Sequence, residues 1–311
     1  DGGTWRTIFS VSSTGLLAAH RQANANGNTV LSWIDRAGNR IGEIGPPALY
    51  RDVALSPDGT MAAMTIGDPG SSIYLHDLVR GSRTRFSFVP GGAGDPLWTP
   101  DGRHIIFGTT DAAKFRLLIK PADGSSEERV LLESPELLRP SAVTPDSRYL
   151  IFERGSGPSG DVMRIPVAGG QPEVVAGGEG QQYEGRISPD GKWLAYIASD
   201  HSGRNLYVTS YPATGGKWQI SNEPAYAAWW NQNGKELLYV SAYGIRSVDL
   251  TFDGATVRAG NVTPLFAVDL NTNDRGLSMS SDGQRFLVVP IRQSTSGSAT
   301  LITNFDLAMR D

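Results

Sequence analysis

A tetrapeptide recurs along the whole sequence, and this repeat constrains the fold more than any other feature. Four copies carry Pro-Asp at their centre, and three weaker copies keep the same spacing. The copies occupy residues 12–15, 56–59, 99–102, 144–147, 188–191, 231–234 and 280–283. Successive fourth positions, counted from Gly15, lie 44, 43, 45, 44, 43 and 49 residues apart. A period near 44 that fills the chain indicates one supersecondary unit repeated seven times.

The chemistry of the tetrapeptide predicts a tight turn between two strands. Proline presets φ to roughly −65° at the second position, Asp is favoured at the third, and Gly takes the left-handed conformation at the fourth. The preceding Ser or Thr can hydrogen-bond within the turn. Ser147 replaces this glycine in one copy, so that copy is either strained, by about 1 kcal/mol, or uses a different turn. The recurring acids are therefore expected to be structural and not catalytic: Asp58, Asp101, Asp146, Asp190 and Asp282.

A short apolar run follows every turn, as in the Met-Ala-Ala-Met of residues 61–64. Unbroken apolarity over four residues is typical of a strand that is covered on both faces. A further strand and a fourth, more polar strand follow in most units, as at residues 73–75 and 83–86. Four strands per unit of about 44 residues match a β-propeller blade, whereas a parallel β-helix needs a shorter period. We predict an all-β fold, a seven-bladed β-propeller of four-stranded antiparallel blades.

The repeat leaves no linker, so the 311 residues are expected to form a single domain. In the last unit, strands are visible around residues 276–279, 285–291 and 300–305, without a fourth. Either residues 1–7 supply that strand or the ring closes through a three-stranded blade. The predicted blades cover residues 8–45, 51–88, 95–133, 140–176, 184–221, 227–267 and 276–307.

Composition excludes several classes of protein. The chain has 28 Lys plus Arg against 32 Asp plus Glu, a formal charge of −4, which argues against nucleic acid as a partner. The absence of cysteine excludes disulfides, cysteine zinc sites and thiol nucleophiles. The longest apolar runs are far shorter than the roughly 18 residues that span a bilayer.

The turn and its following apolar strand resemble the WD40-like repeat of TolB-type propellers. Several stretches also resemble the C-terminal sensor region of bacterial membrane-anchored serine/threonine protein kinases. These are FSVSSTGLLA (9–18), LSWIDRAGNRIGEIG (31–45), IKPADGSSEERVLLESP (119–135), GKWQIS (216–221) and GKELLYV (234–240). The kinase resemblance implies a non-catalytic, periplasmic sensor domain that binds a ligand or protein, with the kinase domain and a membrane tether N-terminal to residue 1. The alternative reading is a TolB-like periplasmic scaffold for protein–protein interaction.

The sequence shows no catalytic signature. The Gly-rich, His-Arg-Asp and Asp-Phe-Gly motifs of kinases and the Gly-x-Ser-x-Gly elbow of hydrolases do not occur. A calcium-loop reading of residues 269–280 fails because Asp274 and Ser280 replace the required Gly and Glu. The four histidines fall at different positions of the repeat, so they are not expected to converge on one ion: His20, His76, His104 and His201. We expect no catalytic residue, metal or cofactor, and keep a propeller polysaccharide lyase or glycosidase as a third hypothesis.

Two rings of side chains are expected where the chain enters the innermost strands. They lie eight and seven residues before the fourth position of each turn, and by pseudo-symmetry they meet at the channel mouth. Arginine forks and tyrosine faces suit a polar small molecule or an envelope protein, although the arginines and acids could simply pair with one another. The candidate ligand-binding residues are Arg51, Asp52, Asp95, Arg139, Tyr183, Glu184, Tyr226 and Arg275.

Loops between the second and third strands of the blades share this face. Trp229 and Trp230 are adjacent on a strand and must face opposite sides, so one is expected to pack between blades while the other could line the channel. The loops add a second group of candidates: Lys114, Arg154, His201, Arg204 and Tyr243.

Overall fold

The computed structural model describes residues 7–11, 17–21, 28–67, 70–111, 114–155, 160–201, 203–213, 215–267, 276–289 and 299–302. Within these ranges the regular elements are β-strands. The first four strands are β1 (Thr7–Val11), β2 (Leu17–Arg21), β3 (Thr29–Asp35) and β4 (Arg40–Ala48).

Five four-stranded antiparallel sheets follow, each built from consecutive strands. Blade 1 contains β5 (Tyr50–Leu55), β6 (Met61–Ile66), β7 (Ser72–Asp77) and β8 (Arg83–Arg85). Blade 2 contains β9 (Ala93–Trp98), β10 (His104–Asp111), β11 (Lys114–Pro121) and β12 (Arg129–Ser134). Blade 3 contains β13 (Leu138–Val143), β14 (Tyr149–Arg154), β15 (Asp161–Pro166) and β16 (Glu173–Ala176). Blade 4 contains β17 (Gln181–Ile187), β18 (Trp193–Asp200), β19 (Gly203–Ser210) and β20 (Lys217–Gln219). Blade 5 contains β21 (Ala225–Trp230), β22 (Glu236–Ser241), β23 (Gly244–Asp253) and β24 (Thr256–Phe266).

Blade 6 combines strands from the two ends of the sequence. Its first two strands are β25 (Leu277–Met279) and β26 (Arg285–Val288), and the sheet continues with β3 and β4. In the register of the junction, Arg285 lies opposite Asp35 and Val288 lies opposite Ser32. Strand β27 (Ala299–Ile302) instead joins β1 and β2 in a three-stranded sheet.

The prediction of seven blades is therefore wrong, because the described residues form six four-stranded blades. The strands of the predicted units 8–45 and 276–307 exchange partners. Strands β3 and β4 complete the sheet that β25 and β26 begin, while β1 and β2 pair with β27. The physical reason is that β26 presents an open edge, and any strand of suitable register can satisfy its backbone groups. A sequence period counts repeats but does not decide which sheet each strand completes.

Six apolar clusters close the ring, one at each interface between neighbouring blades. The cluster between blades 6 and 1 joins Leu31 and Leu287 to Met64, and all three side chains are fully buried. Burying one such side chain stabilises the fold by about 1.5–3 kcal/mol. The second strand of each blade supplies much of this core, and β22 is buried along its whole length. This agrees with the expectation of a strand covered on both faces.

The six tetrapeptides within the described residues form the predicted turns, and the copy at residues 12–15 lies outside those residues. In the first described copy, the Gly59 N–H donates to the Ser56 carbonyl at 2.9 Å, and the Ser56 hydroxyl donates to the Asp58 carboxylate at 2.6 Å. That hydroxyl holds the pKa of Asp58 below its usual value. Ser147 keeps the same turn, with its N–H 2.8 Å from the Thr144 carbonyl, and adopts a positive φ of 58°. The structural role predicted for the turn aspartates is confirmed, and the Ser147 copy is strained.

Candidate functional site

The innermost strands of all six blades surround a central cavity of about 700 Å³. At one end the cavity opens between the six turns, because the second residue of every turn lines it. Four of these residues are prolines, which have no N–H to donate. They form a collar with two polar side chains, and the six are Pro57, Pro100, Pro145, Pro189, Gln232 and Ser281.

A ring of half-buried side chains lines the cavity behind this collar. Each member lies five residues before the fourth position of its turn, which is three residues further along the strand than the outer predicted ring. Small and apolar residues dominate, with one aromatic ring and one positive charge. The six are Ala54, Leu97, Ala142, Arg186, Trp229 and Ser278.

Irregularities in the innermost strands explain how the predicted positions are presented. Blades 1 to 5 each have a β-bulge there, and in blade 1 the register shifts between Tyr50 and Val53. A bulge inserts an extra residue, bends the strand and re-aims the nearby side chains. Asp95 and Glu184 lie in two of these bulges with positive φ values of 54° and 52°.

Buried carboxylates of the preceding blade hold both strained residues. The Asp95 N–H donates to the Asp52 carboxylate at 3.2 Å, and the Glu184 N–H donates to the Glu153 carboxylate at 2.9 Å. Asp52 and Glu153 are 7% and 8% exposed, respectively. All three predicted acids thus take part in the bulges: Asp52 accepts the Asp95 N–H, and Glu184 donates its N–H to Glu153.

Residues of the innermost strands form two ion pairs beside the cavity. Arg186 Nη2 lies 2.6 Å from Glu184 Oε2, and Arg186 Nε donates to the Ala228 carbonyl at 3.4 Å. Arg139 Nε lies 3.9 Å from Asp95 Oδ2. The sequence prediction missed Arg186, although its spacing from the turn could have revealed it once the bulges were taken into account.

The remaining predicted residues are distributed around the ring at the starts of the innermost strands, opposite the turns. Of the eight candidates, Asp52 and Asp95 line the cavity, and Arg51 is exposed. Tyr183 and Tyr226 come together through Arg204, whose guanidinium lies 5.8 Å and 5.0 Å from the two ring centres. Arg275 lies outside the described residues.

Three second-group candidates contact nearby glutamates, and the lysine and arginine among them form ion pairs. Lys114 pairs with Glu133 at 2.6 Å. Arg154 pairs with Glu136 at 3.5 Å, and His201 contacts Glu179 at 2.9 Å. Tyr243 is 69% exposed, and its ring lies 5.9 Å from the Arg246 guanidinium.

The two adjacent tryptophans divide as expected. Trp230 is buried between blades 4 and 5, and its indole N–H donates to the Arg186 carbonyl at 3.0 Å. Trp98 makes the equivalent bond to Ala54 at 3.1 Å. Trp229 is half-buried and lines the cavity.

Within the described part of the chain, no group of three or more His, Cys, Asp and Glu side chains is placed to hold a metal ion. The candidate calcium loop lies mostly outside that part. The same residues contain no helix of the length and apolarity needed to cross a bilayer.

The ring of antiparallel blades around an open channel defines a β-propeller. Residues 50–296 match the TolB beta propeller domain family, and the chain belongs to this family. An uncharacterized protein of Agrobacterium fabrum is 28% identical over 167 residues, which cover 46% of this chain and 52% of the relative. The chain thus spans about half the length of that relative.

Two solved structures show the same fold. A TolB-type protein of Agrobacterium tumefaciens superposes with a TM-score of 0.65 at 18% identity, covering 85% of this chain and 99% of that one. TolB of Acinetobacter baumannii gives a TM-score of 0.53 at 15% identity, covering 94% and 80%. The similarities support the TolB-type propeller and do not support the narrower resemblance to kinase sensor domains.

Proposed function

We propose that this chain is a non-catalytic, TolB-like periplasmic scaffold that binds a partner protein at its central channel. The observation that carries the proposal is the cavity of about 700 Å³ on which all six innermost strands converge. Specific binding sites in proteins are typically concave, mostly apolar and about 300–1,000 Å³ in volume. Membership of the TolB propeller family supports a protein as the occupant.

The chemistry of the channel suits a segment of polypeptide. The proline collar offers rigid apolar surface, while Leu97 and Trp229 offer apolar and aromatic surface behind it. Arg186 contributes a guanidinium that can donate to carbonyl or carboxylate oxygens. Aromatic and arginine side chains are the residue types that most often dominate binding energy at protein interfaces.

The engagement of the acids favours binding over catalysis. The turn carboxylates accept hydrogen bonds from their own turns, as Asp58 and Asp101 do from Ser56 and Thr99 at 2.6 Å. Asp52 holds the backbone of the next blade. A general acid or base must instead reach a reacting group.

The residues predicted at the inner ends of the blades extend the proposed surface. The Tyr183, Arg204 and Tyr226 cluster has the composition of an interface anchor. The other predicted positions, Arg51 of blade 1 and Arg139 of blade 3 among them, would contribute polar contacts to the partner elsewhere around the ring.

Affinity capture tests the proposal. The wild-type chain, the channel-blocking variant Ala142→Arg in the half-buried channel ring and the truncation Trp229→Ala are immobilised and exposed to an envelope extract. Val79→Arg is the matched control, because Val79 lies on a turn and is 80% exposed. We expect a protein retained by wild type and control and lost from both channel variants. Equal retention by all four would overturn channel binding, provided that thermal unfolding shows each variant to be folded.

A further inference from the structure

A second pocket of about 480 Å³ lies between blades 4 and 5, beside the end of the channel that opens between the turns. Two turns form its sides, residues 188–191 and 231–234, and the tip of the β23–β24 hairpin forms its outer wall. The pocket adjoins the channel, because Pro189 and Gln232 line both cavities.

An extension of the outer hairpin of blade 5 creates this pocket. Strands β23 and β24 remain paired as far as Asp253 and Thr256, so the hairpin is long enough to reach blade 4. Phe252 in the extension stacks on Trp193 of blade 4, with ring centres 4.9 Å apart. Both aromatic residues line the pocket and give it an apolar wall.

Two lysines and one aspartate line the pocket, which gives it a net positive charge. Lys192 and Lys235 occupy the same position in neighbouring turns, and both are exposed pocket-lining residues. Asp190 accepts hydrogen bonds from the Ser188 hydroxyl at 2.5 Å and the Lys192 N–H at 3.1 Å. The equivalent residue of the next turn is the neutral Asn233, where the other described turns have aspartate.

We propose that this pocket binds an acidic side chain of the polypeptide that occupies the channel, with an apolar neighbour against Trp193 and Phe252. The assignment rests on the proposed channel function, since a segment that leaves the channel at its turn end between Pro189 and Gln232 passes directly over the pocket. Carboxylates would pair with the two ammonium groups, and the partner would be selected for acidic residues outside the channel.

Two defined peptides test the assignment: acetyl-Ser-Glu-Phe-Glu-Ser amide and its counterpart with both Glu changed to Gln. Binding to the folded chain is measured by NMR titration at low salt, where screening is weak. The variants are Lys192→Gln, Lys235→Gln and Asn233→Asp. The last keeps the acceptor for the Lys235 N–H, now 2.8 Å from Asn233 Oδ1, and adds only a charge. Arg103→Gln, at the equivalent position of blade 2, is the control.

We expect the Glu peptide to bind more tightly than the Gln peptide, and each pocket variant to weaken it by about two- to fivefold. The control should leave binding unchanged. Equal binding of the two peptides, no binding of either, or binding that ignores all three variants would overturn the assignment. Lysine-dependent binding of inorganic phosphate without binding of the Glu peptide would also overturn it. If the peptide titration fails while capture still depends on the channel, the proposed function stands and only the pocket assignment falls. If the peptide binds but no protein is captured through the channel, the proposed channel function falls.

Discussion

The guanidinium of Arg36 lies 2.5 Å from the carboxylate of Glu236, across a sequence separation of 200 residues. Arg36 also donates to the Gly283 carbonyl at 3.1 Å, and Glu236 accepts from Asn231 at 2.6 Å and from the Ser247 hydroxyl. Arg36 follows β3 of the composite blade, while Glu236 begins β22 of blade 5. The pair therefore joins N-terminal strands to a neighbouring blade at the place where the ring closes.

Removing one partner of this pair should destabilise the ring. Glu236 is 8% exposed, so Glu236→Ala leaves the Arg36 charge beside a largely buried site. Loss of one partner of a buried pair costs about 3–5 kcal/mol, and partial exposure of Arg36 places the expected cost near the lower limit. The free energy of unfolding, measured in urea, checks this value. Arg40→Ala is the control, because its pair with Glu43 at 2.6 Å is exposed on both sides. A similar small loss in both variants would show that the buried pair does not lock the ring.

Lowering the pH should weaken the fold through the turn aspartates. Hydroxyl donors in the turns hold the pKa values of Asp58, Asp101, Asp146 and Asp282 below their usual value. Because the folded pKa is the lower one, the stabilisation is fully present above the unfolded pKa of about 4 and is lost as the pH falls through the folded values. The urea concentration at the unfolding midpoint should therefore decrease as the pH is lowered below about 4. Asp58→Asn should make this decrease shallower. An unchanged pH dependence in that variant would contradict the assignment.

Relieving the strain at Ser147 should stabilise the protein. Ser147→Gly removes the cost of a side chain at φ 58°, while glycine makes the unfolded chain more flexible. We expect a net gain of about 0.5–1 kcal/mol in the free energy of unfolding. The reciprocal change Gly59→Ser, at φ 70° with no atom within 4 Å of an added Cβ, should cost a similar amount. Two changes of the same sign would show that φ at the turn does not control stability.

Close packing at the blade 4 bulge should make Gly185 intolerant of a side chain. A Cβ there would lie 2.6 Å from Val162 Cγ1 and 3.0 Å from Ile151 Cγ2. Overpacking of this kind typically costs about 1–3 kcal/mol, so Gly185→Ala should lower the thermal midpoint. Gly185→Ala combined with Val162→Ala supplies the control, since it removes Val162 Cγ1, the nearer of the two blocking methyl groups. If the single variant is as stable as wild type, the bulge has more room than the structure shows.

Local features of this fold could be predicted from the sequence, and long-range ones could not. The turn around Asp58 is held by hydrogen bonds within four consecutive residues, so the tetrapeptide alone is enough to predict it. The partner of β3 depends on which distant edge is open, and a repeat with period 44 carries no information about that choice. Arg186 was missed for a related reason, because a bulge shifts the residues that face the channel. The pocket beside Lys235 was missed because it depends on an extension of one hairpin.

Engineered cysteines test the composite blade most directly. The chain has no cysteine, so Ser32→Cys with Val288→Cys introduces a single pair at positions that lie opposite each other in the β26–β3 register. Opposed residues in an antiparallel pair approach closely enough for a disulfide. We predict a disulfide in the oxidised folded protein, seen as a loss of two hydrogens in the intact mass and a mobility shift on a non-reducing gel. Free thiols in a folded and oxidised double variant would contradict the six-bladed ring and the single channel that it encloses.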